Sequence, residues 1–171
     1  VAAAGNSSAN NDTSPSYPAS YDVDNVVSVA ATNNSDELAY FSNYGTRKVH
    51  LAAPGMNILS TVPGSTPYTS YSGTSMACPH VSGAAALLLG KEPSLNYAEV
   101  KARLLANSDK VRGLSKKVYQ GNRLNVFNLL TNTIPPAPVL PPESSWSAVV
   151  PNVIESDHPY KDGAKQTWTI S

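Results

Sequence analysis

Charge is what this chain has least of. Of its 171 residues, 12 are Lys or Arg and 12 are Asp or Glu, and the formal net charge is zero. No basic cluster stands out, so the electrostatic footprint of a nucleic-acid partner is missing. No apolar run is long enough to span a membrane. Cysteine is reduced to one residue, Cys78, so cysteine pairing cannot indicate a redox compartment; its apolar setting reads as a small core position. What remains is a sequence of small and polar residues, with 14 prolines, several of them gathered between positions 134 and 142.

The densest signal is Ser72-Gly73-Thr74-Ser75-Met76-Ala77-Cys78-Pro79-His80-Val81-Ser82-Gly83, followed by Ala84-Ala85-Ala86-Leu87-Leu88-Leu89. It reads as a glycine turn that delivers a serine to the start of a helix. The helix is apolar or small nearly all round, which predicts burial in a core. Pro79 fits only near a helix start, because deeper it removes a hydrogen bond and clashes with the preceding turn. Ser75 is thereby placed among the unpaired N–H groups and the positive dipole end. Attack by a serine on a carbonyl creates an oxyanion, which such a place favours.

This stretch resembles the nucleophile motif of the subtilisin-like serine proteases (subtilases). Ser75 matches the nucleophile, and Gly73, Thr74, Met76, Ala77, Pro79, His80, Val81 and Gly83 match its neighbours. Val1-Ala2-Ala3-Ala4-Gly5-Asn6 reads as a buried parallel strand stopping at an active-site edge. It resembles the subtilase segment whose asparagine donates to the oxyanion, which implies that role for Asn6, with the Ser75 backbone N–H as second donor. The resemblance further implies substrate contacts from Ala3, Ala4, Gly5, Ser16, Gly73 and Thr74. Ser16 aligns with a glycine of the primary specificity pocket, so a side chain there is expected to make the pocket shallower or more polar.

The order of the remaining segments agrees. Val26–Ala31 is β-branched and suits a core strand. Ala39-Tyr40-Phe41-Ser42-Asn43-Tyr44-Gly45 resembles the family's segment before its next strand, here Val49–Gly55. Ile58–Thr61 then leads into the nucleophile turn. Asn96 with Glu99 predicts a capping-box start for a helix through Val100, Leu104 and Leu105. Gly121–Val126 resembles the turn into the last helix. The match runs from Val1 to about Leu130, which implies an α/β fold with a parallel sheet.

Subtilases carry their triad in the order Asp, His, Ser, so the aspartate and histidine segments are expected upstream of Val1. None of the three histidines replaces the base. His80 is five residues after Ser75, about 140° round the helix; His50 belongs to a strand; His158 lies in the tail. The chain is therefore expected to be the C-terminal part of a catalytic domain, inactive alone and unable to fold stably alone. No cofactor is expected. Relatives hold a cation near Tyr17–Tyr21, but the strand positions facing it here are Lys48 and His50, poor ligands for a hard cation. Asp22 and Asp24 are alternatives, or simply solvated loop acids.

Residues 131–147 break the pattern. Ile134–Pro142 is a proline-rich spacer favouring extended polyproline geometry, and it marks a domain boundary; a ligand for a proline-recognition domain is the alternative. Residues 148–171 resemble the opening strands of a CUB-like β-sandwich, through Ser156-Asp157-His158-Pro159-Tyr160 and Trp168-Thr169-Ile170. A generic β-hairpin fits them equally. Together these readings imply a serine endopeptidase acting on protein or peptide substrates, secreted like its family, with a possible extracellular ligand for the terminal module. A pseudoprotease, or an adhesion protein working through that module, is the rival.

Overall fold

A computed structural model describes residues 1–136; the spacer beyond Pro136 and the β-module expected at 148–171 lie outside the described residues. The elements follow in the order β1 (Ala2–Ala3), β2 (Ser28–Thr32), β3 (Leu51–Pro54), β4 (Ile58–Thr61), β5 (Tyr68–Tyr71), α1 (Thr74–Lys91), α2 (Tyr97–Ala106), β6 (Asp109–Lys110), β7 (Asn122–Arg123) and α3 (Val126–Thr131). Five strands form one sheet in the order β1-β2-β3-β7-β6. The pairings from β1 to β7 are parallel, and β6 joins antiparallel to β7. β4 and β5 make a separate antiparallel hairpin.

Two buried layers flank the sheet because alternate strand residues face opposite ways. Val29, Ala31, Leu51 and Ala53 point to one face, where Ala77, Val81, Ala84 and Leu88 of α1 meet them. Ala30 and Ala52 point to the other, against Ala4, Val49, Leu114 and Val118. Small strand residues let the layers approach closely. Burial of each Leu or Val contributes about 1.5–3 kcal/mol relative to exposure. α2 begins at a capping box: the Asn96 side chain accepts from the N–H groups of Ala98 and Glu99, and Glu99 accepts from the Asn96 N–H. Asn125 caps α3 through the Asn128 N–H.

Two elements are less covered among the described residues than the sequence implied. α1 buries its inner stripe, while Leu87 is 56% exposed and Ser82, Gly83 and Ala86 are exposed as well. The described residues place the sheet on one side of α1 only, so the residues 100° or more away from that stripe face outward. Pro79 lies in the second turn of α1; since it has no N–H, it cannot satisfy the carbonyl of Ser75 four residues back. The strand at the start of the chain is short, half-buried and at the edge of the sheet formed by the described residues; burial begins at Ala4.

Candidate active site

The parallel sheet carries Gly5 and Asn6 off the end of β1 to the start of α1. Gly73 is the N-cap of α1 and is fully extended (φ 166°, ψ 159°). In the first turn the N–H groups of Met76 and Ala77 are directed at the Gly73 carbonyl (3.0 and 3.3 Å). The Thr74 N–H donates to Asn6 Oδ1 at 2.9 Å. Ser75 N–H remains without a partner among the described residues, as expected so close to a helix N-terminus. The Ser75 side chain is exposed beside it.

Asn6 is held by one end. Its Oδ1 accepts from both the N–H and the hydroxyl of Thr74 (2.9 and 2.8 Å), and Thr74 Oγ1 in turn accepts from Gly5 N–H at 3.2 Å. With the oxygen committed, the amide nitrogen is the end left to donate. A β-carbon at Gly73 would lie 3.5 Å from Asn6 Nδ2 and 3.6 Å from Ser75 N. The absent side chain therefore leaves a small volume flanked by two N–H donors and roofed by Met76 Sδ. Two fixed donors around such a space can stabilise an oxygen that gains negative charge.

The other predicted residues take distinct places. Thr74 is buried behind Asn6, not open to solvent. Ala4 is fully buried; its N–H donates to Val29 and its carbonyl accepts from Asn11 and Asn43. Ala3 and Gly5 are half-buried. Gly5 has φ +114°, and a β-carbon there would meet Asn43 Nδ2 at 2.5 Å, so no other residue fits without strain. Ser16 lies against Gly5, its Oγ 3.2 Å from that same β-carbon position, and its N–H donates to Ser20 Oγ. An open cleft of about 340 Å³ adjoins Met76, lined also by Ile58, Leu59, Ser60, Pro79 and His80.

No base for Ser75 is present among the described residues. His80 Nδ1 lies 2.8 Å from the Met76 carbonyl, its own helix's i−4 acceptor. His50 sits just before β3, where Nδ1 accepts from Ser28 N–H at 3.0 Å. Burial holds its pKa down at about 4, with the charges of Lys101 and Lys48 adding to the effect. The ring is neutral and faces the sheet. Near the loop where the resemblance implies a cation, Lys48 Nζ is 3.2 Å from Asp22 Oδ1, on a side chain that is 98% exposed, and Lys101 Nζ donates to the Asp24 carbonyl. Ammonium groups beside these oxygens make them poor partners for a hard cation. Among the described residues no cluster of three or more His, Cys, Asp or Glu could hold a metal. No described helix is long and apolar enough to cross a membrane. Cys78 is a free, half-buried thiol.

Reading the sequence alone did not single out Asn11 and Asn43, which hold the Gly5–Asn6 loop, nor the tie between Thr74 and Asn6. Only Asn43 carried any signal, as part of a segment resembling the family.

Comparison with known proteins agrees with the geometry. The profile of the Subtilase family matches residues 1–126. The chain is 49% identical over 138 residues to Subtilisin-like protease 2 of Plasmodium falciparum (isolate 3D7), covering 78% of this chain and 10% of that protein. It is 44% identical over 125 residues to Subtilisin DY of Bacillus licheniformis, covering 72% and 43%. Among solved structures, one described as proteases from Pseudoalteromonas arctica superimposes with a TM-score of 0.61 at 28% identity, over 77% of this chain and 41% of that one. The chain thus spans less than half the length of each of these relatives.

Proposed function

Because this chain belongs to the subtilase family, we propose that the protein it forms part of is a serine endopeptidase working through an acyl-enzyme on Ser75. The observation that carries this reading is the pair of donors, Asn6 Nδ2 and Ser75 N–H, flanking one small volume beside the Ser75 hydroxyl.

The chemistry follows from the placement. Ser75 Oγ attacks the scissile carbonyl carbon while its proton passes to a histidine supplied upstream of Val1, oriented by an upstream aspartate. The carbonyl π electrons move onto oxygen, and the oxyanion settles between Asn6 and the Ser75 N–H. Collapse breaks the C–N bond; the leaving amine takes the proton, and an ester on Ser75 remains. Water repeats the sequence and releases the acid. Loss of one oxyanion donor costs about 2.7–4 kcal/mol of barrier, a magnitude known from the equivalent asparagine of subtilisin itself and carried over to Asn6.

Substrate is a protein or peptide. Ala3 and Gly5 border the site and Gly73 leaves the space for the oxygen. Ala4 is buried with its N–H and carbonyl already bonded, so it supports the site from behind and does not touch substrate. Ser16 lies at the specificity pocket's wall, and Thr74 contributes from behind by holding Asn6. The relatives called subtilisins favour an extracellular setting. Residues 131–147 serve as a spacer between the catalytic domain, residues 1–130, and a CUB-like module from 148 with an extracellular ligand of its own.

The test is labelling of the full-length parent with a fluorophosphonate, which reacts only with an activated serine. Wild type is expected to label and Ser75→Ala to stay unlabelled. A folded wild type that does not label would make the protein a pseudoprotease and shift its role to the terminal module.

A further inference from the structure

Behind the Gly5–Asn6 corner lies a buried amide network that the reaction steps above do not use. Asn43 is 3% exposed and Asn11 is fully buried. Asn43 Oδ1 accepts from the N–H groups of Ser7 (2.9 Å) and Ala9 (3.1 Å). Its Nδ2 donates to the Ala4 carbonyl (3.1 Å) and to Asn11 Oδ1 (2.9 Å). Its backbone N–H donates to the Gly5 carbonyl at 2.8 Å. An asparagine side chain offers two lone pairs and two N–H donors, and here all four are used.

The pattern of partners is informative. Asn43 bonds to residues 4, 5, 7 and 9, on both sides of Asn6, yet makes no hydrogen bond to Asn6 itself. A second layer fixes Asn43: the neighbouring Ser42 hydroxyl donates to the Asn43 carbonyl and accepts from Ala31 N–H in the core strand β2. Asn11 Nδ2 adds another bond to the Ala4 carbonyl at 2.9 Å. The loop bearing Asn6 is thus anchored by its backbone to the sheet, while Thr74 orients the Asn6 side chain from the other side. Buried polar networks with every group satisfied are rigid, and fail sharply when one member is lost.

We propose that Asn43 is a positioning residue for oxyanion stabilisation: its amide fixes the Ala4–Ala9 backbone so that Asn6 Nδ2 stands ready to donate before the substrate arrives. The proposal rests on the endopeptidase reading. Preorganised donors gain their advantage by costing no reorganisation during the reaction, and a displacement of about 1 Å at such a site can cost 100-fold in rate.

The experiment uses the full-length parent with Asn43→Ser, Asn6→Leu and the double variant, measuring kcat and KM on a peptide substrate. Asn43→Ser is expected to lower kcat about 10- to 100-fold with KM within about twofold. In the Asn6→Leu background the same substitution is expected to have almost no further effect on kcat, because the donor it positions is gone. A purely structural asparagine would lower the melting temperature while leaving kcat unchanged, or its loss would multiply with that of Asn6; either result overturns the proposal. If Asn43→Ser does not fold, Asn11→Ser, which removes the bonds to Ala4 and Asn43, is held to the same criteria. An active wild type impaired by Asn6→Leu but not by Asn43→Ser refutes the positioning role alone. A folded wild type without turnover refutes the endopeptidase reading, and the proposal with it.

Discussion

Gly73 is conformationally ordinary, since an extended backbone at φ 166° suits any residue. Its value lies in the space it leaves between Asn6 Nδ2 and Ser75 N. Gly73→Ala in the full-length parent is expected to fold, with a melting temperature within a few degrees of wild type, and to lose at least about tenfold in kcat because the methyl stands in the oxyanion's place. Unchanged kcat would show that the oxyanion lies elsewhere. His50 illustrates the opposite case, a residue whose chemistry is suppressed. Its pKa falls from 6.5 to about 4, first through burial and then through Lys101 and Lys48. The unfolded chain gains a proton near pH 6.5 and the folded one only near 4. Between those values the unfolded state binds more protons, so stability declines as pH falls through that window. After screening at this partly accessible site, the loss is on the order of 1–2 kcal/mol. Melting curves of the full-length parent from pH 7 to 4 should show this decline, and His50→Asn, whose Oδ1 can still accept from Ser28, should flatten it.

Local pattern and long-range packing divide the elements between them. α2 was legible in full, because a capping box is a local device: Asn96 and Glu99 are three residues apart and satisfy each other's N–H groups. Replacing Asn96 by Ala leaves those donors exposed at the helix start and is expected to cost about 1 kcal/mol of stability, read as a lower melting temperature with kcat unaltered. An equal kcat loss would mean that α2 bears on the site. α1 was legible in its start. Its composition is apolar nearly all round, and among the described residues Leu87 and Leu89 face outward. The stripe Ala77, Val81, Ala84 and Leu88 is set by contact with β2 and β3, and composition alone cannot distinguish it from the opposite face.

For the molecule as a whole, the described residues hold the proposed nucleophile and the two proposed oxyanion donors, and no base for Ser75 is found among them. His80 is bound to its own helix and His50 to Ser28. The 171-residue chain alone is therefore expected to show no peptidase turnover and no fluorophosphonate labelling. A Ser75 without a base keeps its proton at neutral pH. Turnover from the isolated chain, abolished by Ser75→Ala, would show that these residues contain a base after all.

Residue types and their order along the chain were enough to read Asn6, Ser75 at a helix start, the core strands and the capping box of α2. These depend on neighbours a few residues apart, where turn geometry and strand or helix period act directly. Which end of Asn6 points outward depends on the folded arrangement, since Thr74 lies 68 residues away in the chain. The tertiary structure alone revealed that Asn43, 39 residues from Ala4, anchors the loop, and that Lys48 meets Asp22. Each of these contacts arises where separate segments cross the end of the sheet. No local periodicity records such a crossing, because its energy comes from satisfying buried polar groups that no residue nearby in the chain could reach.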